Sequence, residues 1–177
     1  MAVNLGCRPG QDESAKSKSI ESFIGTYLAA MDERPLRDLP GESYRFVYIP
    51  TFSQPISVRV SCNEEQCVAV AKQLSGKGGY GAGHLVHQST LEVSQEEWRD
   101  VLRVVEETRF WSISKEEYRL GIGPTDASIW ALEGQKPGRR RVWVDWSLDP
   151  EKDPGIRNLC LKLLRISRLE YELSEYD

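Results

Sequence analysis

Three carboxylates come closest, by type and spacing, to a catalytic arrangement in this sequence. Asp126, Glu133 and Asp145 lie on or beside two stretches that we predict to be the strands of one hairpin. Two carboxyl groups about 5–10 Å apart can hydrolyse a glycosidic bond. The neighbouring cations, Lys136 and the arginine run 139–141, offer the alternative of ordinary ion pairs, which we favour.

The two histidines and the glycine-rich segment lack the context that catalysis requires. His84 and His87 are three residues apart, and in a strand that spacing places them on opposite faces, where they cannot share a metal ion. The glycines of segment 76–83 lead into a predicted strand, whereas a phosphate loop leads into a helix. We interpret 76–83 as a flexible hairpin loop, with Lys77 and Tyr80 as candidate partner contacts. We predict no catalytic residue, no metal site and no cofactor.

The cysteines indicate a cross-link. Cys62 and Cys67 flank four polar residues between two β-rich stretches, a spacing typical of a hairpin. Such flanking positions face each other at a separation that fits a disulfide. Free thiols remain an alternative, as does half of a metal site that would need two more ligands. Cys160 lies in an apolar helical stretch and is predicted to be buried.

Composition bounds the class of protein. The chain has 177 residues, of which 40% are hydrophobic and five are Trp, enough for the core of one domain. The net charge of −4 argues against a nucleic-acid partner, because such proteins usually carry a basic excess on one face. The basic run Arg139, Arg140 and Arg141 is either a solvated hairpin tip or a contact for a small anion or a partner.

The periodicity of apolar residues predicts helices and strands in the order α-ββββ-α-ββ-α. The predicted helices cover residues 19–34, 95–109 and 156–169, and the predicted strands cover 44–52, 56–62, 68–74, 84–93, 128–133 and 140–147. Ser94 and Glu97 form a capping box at the start of the second helix. These elements predict an α+β fold, with an antiparallel sheet of about six strands and helices packed on one face. Residues 1–18 are predicted to be a flexible tether, and residues 19–177 a single domain.

The N-terminus resembles the end of a bacterial lipoprotein signal. Gly6 is a small residue directly before Cys7, and a polar stretch follows. Asn4 stands where such signals carry Leu. The resemblance implies acylation at Cys7 and attachment to the envelope, and a cytoplasmic location is the alternative.

The second hairpin resembles one found in small uncharacterised bacterial proteins, several of them lipoprotein-like. The shared pattern is D-G-x-x-W-x-L-E followed by a strand ending in W-S-P, and it covers about residues 120–169. Here Asp126, Trp130 and Trp146 match, while Ala127 and Leu148 replace the Gly and the Pro. The resemblance implies a bacterial origin and assigns no activity. Trp130 and Trp146 are predicted to anchor the core.

These observations favour a non-catalytic binding module of the bacterial envelope, such as an immunity or inhibitor protein that neutralises a toxin or hydrolase. Its predicted contact surface consists of the loops 63–66, 76–83 and 134–139. A structural or accessory envelope lipoprotein is the alternative, followed by a small carboxylate-dependent hydrolase. The expected partner is a protein, and any membrane attachment would run through Cys7 alone.

Overall fold

A computed structural model describes residues 9–113, 127–146, 151 and 153–173 of the chain, with side chains from residue 20 onwards. The helices are α1 (Pro9–Ala30), α2 (Gln95–Glu107) and α3 (Pro154–Ser167); the strands are β1 (Glu42–Ile49), β2 (Ile56–Cys62), β3 (Cys67–Leu74), β4 (Leu85–Glu92), β5 (Ile129–Lys136) and β6 (Arg139–Trp146). This order confirms the predicted α-ββββ-α-ββ-α arrangement and the α+β class.

The six strands form one antiparallel sheet in the order β4-β3-β2-β1-β5-β6. β1 is central and pairs with β2 on one side and with β5 on the other. Four hairpins, β1–β2, β2–β3, β3–β4 and β5–β6, link neighbours in sequence. β1 and β5 become neighbours although more than 70 residues separate their starts, so hairpin patterns alone do not predict this pairing.

One face of the sheet packs against α2 and α3. Tyr44, Phe46 and Tyr48 of β1 point to this side and are fully buried. α2 contributes Trp98 and Val101, and its start carries the predicted capping box, in which the backbone N–H of Glu97 donates to Ser94 Oγ (3.1 Å). This layer is the larger of the two apolar cores.

The opposite face is covered by α1, which corrects the prediction that the helices pack on one face. Ile24, Tyr27 and Met31 of α1 contact Val47 and Ile49 of β1. β1 is buried on both faces because its apolar residues do not alternate with polar ones over its second half. A strand of this kind needs a cover on each side.

Helix α1 begins at Pro9, well before Ser19, where we predicted it to start. Residues 9–18, assigned to the tether, therefore have helical backbone. This stretch is polar but contains Gln, Glu, Ala and Lys, which have high helix propensity. The rest of the predicted tether, residues 1–8, lies outside the described residues.

The predicted roles of the hairpin tryptophans agree with their positions. Trp130 is fully buried between the sheet and α3 together with Leu132 and Trp143. Trp146 is half-buried and packs on the α1 side with Val144.

Candidate functional site

The carboxylates singled out in the sequence are not assembled into a catalytic pair. Glu133 follows Ala131 by two residues and shares its α1 face of β5. Asp145 lies two residues from Trp143, on the face that α2 and α3 cover. Glu133 and Asp145 are therefore on opposite sides of the sheet, and Asp126 lies outside the described residues.

The arginine run is divided between the two faces. The guanidinium groups of Arg139 and Arg141 donate to the carbonyl oxygen of Trp111, and Arg139 also lies over the Trp111 ring (5.2 Å to the centroid). Arg140 instead pairs with Glu133, its Nε 2.8 Å from Oε1. The three arginines do not form one anion site, and the ion-pair alternative holds for Glu133.

A group of charged side chains lies largely buried beneath the C-terminal end of α1. We call it the charged cluster, and its members are Glu33, Arg45, Arg59, Lys72, Glu133 and Arg140. The carboxylate of Glu33 is 1% exposed and forms ion pairs with three cations: Arg45 Nη1 at 3.4 Å, Arg59 Nε at 3.1 Å and Lys72 Nζ at 3.3 Å. Arg45 also pairs with Glu133.

The charged cluster also fastens the chain that leaves α1. Lys72 Nζ donates to the carbonyl oxygens of Met31 (2.9 Å) and Asp32 (2.8 Å), and Arg45 Nη1 donates to that of Arg34 (2.8 Å). Carbonyl groups at a helix C-terminus lack partners within the helix and carry partial negative charge. The sheet therefore supplies the cations that complete this end of α1.

Next to the charged cluster is an open cleft of about 320 Å³ between α1 and the sheet. Its apolar wall includes Ile24 and Leu28 of α1, Val47 of β1 and Ala131 of β5. Its polar end is formed by members of the charged cluster, namely Glu33, Arg45, Glu133 and Arg140. The combination of an apolar wall with a few convergent polar groups is typical of small-molecule sites.

The histidines carry no metal-binding geometry. His84 precedes β4 and its ring Nδ1 lies 3.1 Å from Ser75 Oγ, while His87 is exposed on β4. Within the described part of the chain, no group of three or more His, Cys, Asp or Glu side chains could hold a metal ion.

The glycine-rich segment 76–83, predicted as a flexible hairpin loop, is a hairpin loop whose centre is hydrogen-bonded to the β1–β2 connection. The backbone N–H groups of Gly78 and Gly79 donate to the carbonyl oxygens of Ser53 (3.2 Å) and Thr51 (2.9 Å). The hydroxyl of Tyr27 on α1 donates to the Gly78 carbonyl at 2.5 Å. A Cβ at residue 78 would lie 2.2 Å from the Pro50 carbonyl oxygen, so only glycine fits this approach.

Exposed rings gather around this loop. Tyr80 at its tip is 76% exposed and contacts Phe52, which is 55% exposed, with ring centroids 6.2 Å apart. Phe23, also exposed, contacts Tyr27, whose hydroxyl bonds the loop. We call Phe23, Phe52 and Tyr80 the aromatic patch. The fourth exposed large apolar side chain among the described residues, Val86, lies on β4 just after the loop.

β4 continues from the aromatic patch along an open edge of the sheet. Its eight residues are half-buried or exposed and include no lysine, arginine or proline. The opposite edge strand, β6, begins with three arginines. Charged residues and proline are the usual protection of an edge against pairing with another chain, so β4 is the less protected edge.

The three loops predicted as one contact surface lie at two ends of the molecule. Segments 63–66 and 134–139 are at the same end, because Glu42 pairs with Cys62 and Ser43 with Gln135. Most of 134–139, predicted as a loop, belongs to β5 and β6, and only residues 137–138 form the turn. Loop 76–83 follows the other end of β3 and is separated from them by the length of the strands, about 20 Å. Lys77 and Tyr80 therefore cannot act together with the three arginines.

The cysteines lie where the hairpin interpretation places them. Cys62 and Cys67 are directly paired across β2 and β3, with Cα atoms 4.0 Å apart, and are joined by a disulfide. Cys160 is fully buried on the core face of α3, and its burial raises the pKa of the thiol. Cys7 lies outside the described residues.

The charged cluster was missed because each member looks ordinary in the sequence. Arg45 and Arg59 stand between apolar residues, and Lys72 follows one, a pattern typical of a strand with one solvated face. The available signal was that β1 also places Val47 and Ile49 on that same face. A face that carries both arginine and β-branched residues is one that another element covers.

The chain matches no protein-family model, and a search of curated proteins found no relative. None of the described helices combines the length and the apolar character needed to cross a membrane.

Proposed function

We propose that this chain is a non-catalytic module that binds a partner protein through the aromatic patch and the adjoining edge of β4. The observation that carries the proposal is the aromatic patch, in which Tyr80 sits on a loop held by backbone hydrogen bonds and contacts the exposed ring of Phe52. Exposed aromatic side chains are enriched among residues that dominate binding energy. A loop that is already ordered loses little conformational entropy when a partner docks.

The unprotected edge of β4 supports the same surface. An extended segment of a partner can add to such an edge by main-chain hydrogen bonds, while nearby pockets and rings select its side chains. Val86 and Tyr80 lie at the end of β4 where this segment would meet the aromatic patch.

The binding test compares three forms of the chain as bait for the envelope and cytoplasmic fractions of the source cell. We expect the wild type to capture a stoichiometric partner and the double variant Phe52→Ser/Tyr80→Ser to lose it. Glu64→Ala/Glu65→Ala, at the opposite end of the sheet, is the matched control and should retain the partner. Equal thermal unfolding of the three forms excludes misfolding as the cause. Capture of no partner, or equal capture by the aromatic variant, would overturn the proposal.

As the biological role we propose an immunity or inhibitor protein of the bacterial envelope, attached through Cys7. The disulfide between Cys62 and Cys67 supports an oxidising compartment, because such bonds are rare in the cytosol. If the captured partner is a toxin or hydrolase, adding the chain should suppress its activity; an accessory lipoprotein would leave that activity unchanged. Detergent-phase partition tests the attachment. We expect the wild type to enter the detergent phase and Cys7→Ser to stay in the aqueous phase. Partition of the wild type into the aqueous phase would argue against attachment through Cys7.

A further inference from the structure

We propose that the cleft between α1 and the sheet binds a small molecule that joins one anionic group, a carboxylate, to an apolar body. This site lies beside the charged cluster, and its residues are separate from those of the aromatic patch. It therefore does not depend on the proposed protein partner, and either proposal can fail alone.

The charged cluster has more basic than acidic side chains, which favours the binding of an anion. Among the described residues, its four basic side chains face only two carboxylates, those of Glu33 and Glu133. At the rim of the cleft, Glu21 and Arg37 are exposed, and Arg37 forms an ion pair with the neighbouring Asp38 (3.7 Å). Positive charge without a counterion is costly where water is excluded, so a bound carboxylate would relieve an existing imbalance.

One residue of the cleft has a buried hydrogen-bond donor that no described residue satisfies. Arg45 lines the cleft and is 3% exposed; its Nη1 and Nη2 groups are engaged by Glu33, Arg34 and Glu133. Its Nε is buried and has no hydrogen-bond partner among the described residues. Buried donors are rarely left unsatisfied in folded proteins. Arg140, half exposed beside it, supplies further donors.

Gly25 provides the opening for the apolar body. It lies in the interior of α1 and lines the cleft, and a Cβ at this position would meet no atom within 4 Å. Glycine is unfavourable inside a helix, and none of the described neighbours requires it here. It leaves the helix backbone open at the mouth of the cleft, next to the apolar wall.

The test uses decanoate as the probe and 1-decanol as its uncharged match, with binding to the full chain followed by calorimetry and by amide chemical shifts. We expect decanoate to bind and to shift the amides of residues that line the cleft. The affinity for 1-decanol, which lacks the carboxylate, should be lower than that for decanoate by about ten-fold or more, a factor that corresponds to about 1.4 kcal/mol.

Two variants localise the site without disturbing its buried members. Arg140→Gln removes a half-exposed cation and should weaken decanoate about ten-fold while leaving decanol unchanged. Gly25→Leu, which favours the helix, should obstruct the cleft and abolish binding of both. Glu65→Gln at the distant hairpin should change neither. Equal binding of decanoate and decanol, undiminished binding by Gly25→Leu, or no binding of decanoate at all would each overturn the proposal.

Discussion

Glu33 is the residue on which the α1 side of the sheet depends most. Arg45 and Arg59 are directly opposite each other on β1 and β2, and like charges in that position repel. The carboxylate of Glu33 lies within 3.4 Å of a nitrogen atom of each. The buried carboxylate of Glu33 therefore bridges Arg45 and Arg59, offsets their repulsion and holds the end of α1 against the sheet.

Replacing Glu33 by glutamine should lower the free energy of unfolding by about 3–5 kcal/mol, because it strands buried cations without their counterion. Urea unfolding followed by circular dichroism measures the loss. Glu65→Gln, an exposed carboxylate on the β2–β3 hairpin, is the control and should change stability by less than about 0.5 kcal/mol. If the two variants are equally stable, Glu33 does not have this role.

At the scale of the element, α2 begins with a capping box in which the hydrogen bonds accepted by the Glu97 carboxylate depend on pH. Glu97 accepts from the backbone N–H and the hydroxyl of Ser94, and these bonds lower the pKa of the Glu97 carboxyl. The folded pKa is thus below the unfolded one. The resulting stabilisation is complete above the unfolded pKa and is lost as the pH falls through the folded value.

Glu97→Ala should therefore destabilise the protein by about 1 kcal/mol at pH 7, with a smaller difference from the wild type at pH 3. Urea unfolding of both forms at the two pH values measures this. Glu96→Ala, one residue earlier and outside the capping box, is the matched control. A difference that stays constant down to pH 3 would contradict the assigned hydrogen bonds.

The β2–β3 hairpin offers a second test at this scale. A disulfide closing a loop of about six residues should stabilise the fold by about 2 kcal/mol through the unfolded chain. Cys62→Ser/Cys67→Ser should lose that amount, and a thiol reductant should destabilise the wild type equally while leaving the double variant unaffected. If a reductant leaves the free energy of unfolding of the wild type unchanged, Cys62 and Cys67 are not cross-linked.

The elements were largely predictable because hairpins and amphipathic helices are local patterns. The pairing of Cys62 with Cys67 and the capping box at Ser94 follow from neighbours in sequence. The side of the sheet on which α1 packs does not follow from neighbours in sequence, because it depends on the residues on both faces of β1. The charged cluster could not be predicted for the same reason: it joins Glu33 to residues on three strands that only the complete sheet brings together.

At the scale of the whole molecule, the sheet separates two layers of different character. The layer under α2 and α3 is built from aromatic and aliphatic side chains, whereas the layer under α1 mixes apolar contacts with the charged cluster. The aromatic patch and the β4 edge lie outside both cores. The α2–α3 layer is the larger apolar core, and both binding surfaces that we propose lie outside it.

The reactivity of Cys160 measures how often the α2–α3 layer opens. Cys160 is fully buried in the same core cluster as Tyr48 and Leu159, so an alkylating reagent cannot reach it. Burial also raises the pKa of its thiol and so lowers the fraction of reactive thiolate. In a Cys7→Ser background, alkylation of Cys160 in the native protein should be slower than in urea by about a thousand-fold or more, since a domain stable by at least about 5 kcal/mol opens rarely. The denaturant midpoint for alkylation should coincide with that of circular dichroism. Rapid alkylation without denaturant would show that α3 separates from the sheet independently and that the α2–α3 layer is not the cooperative core.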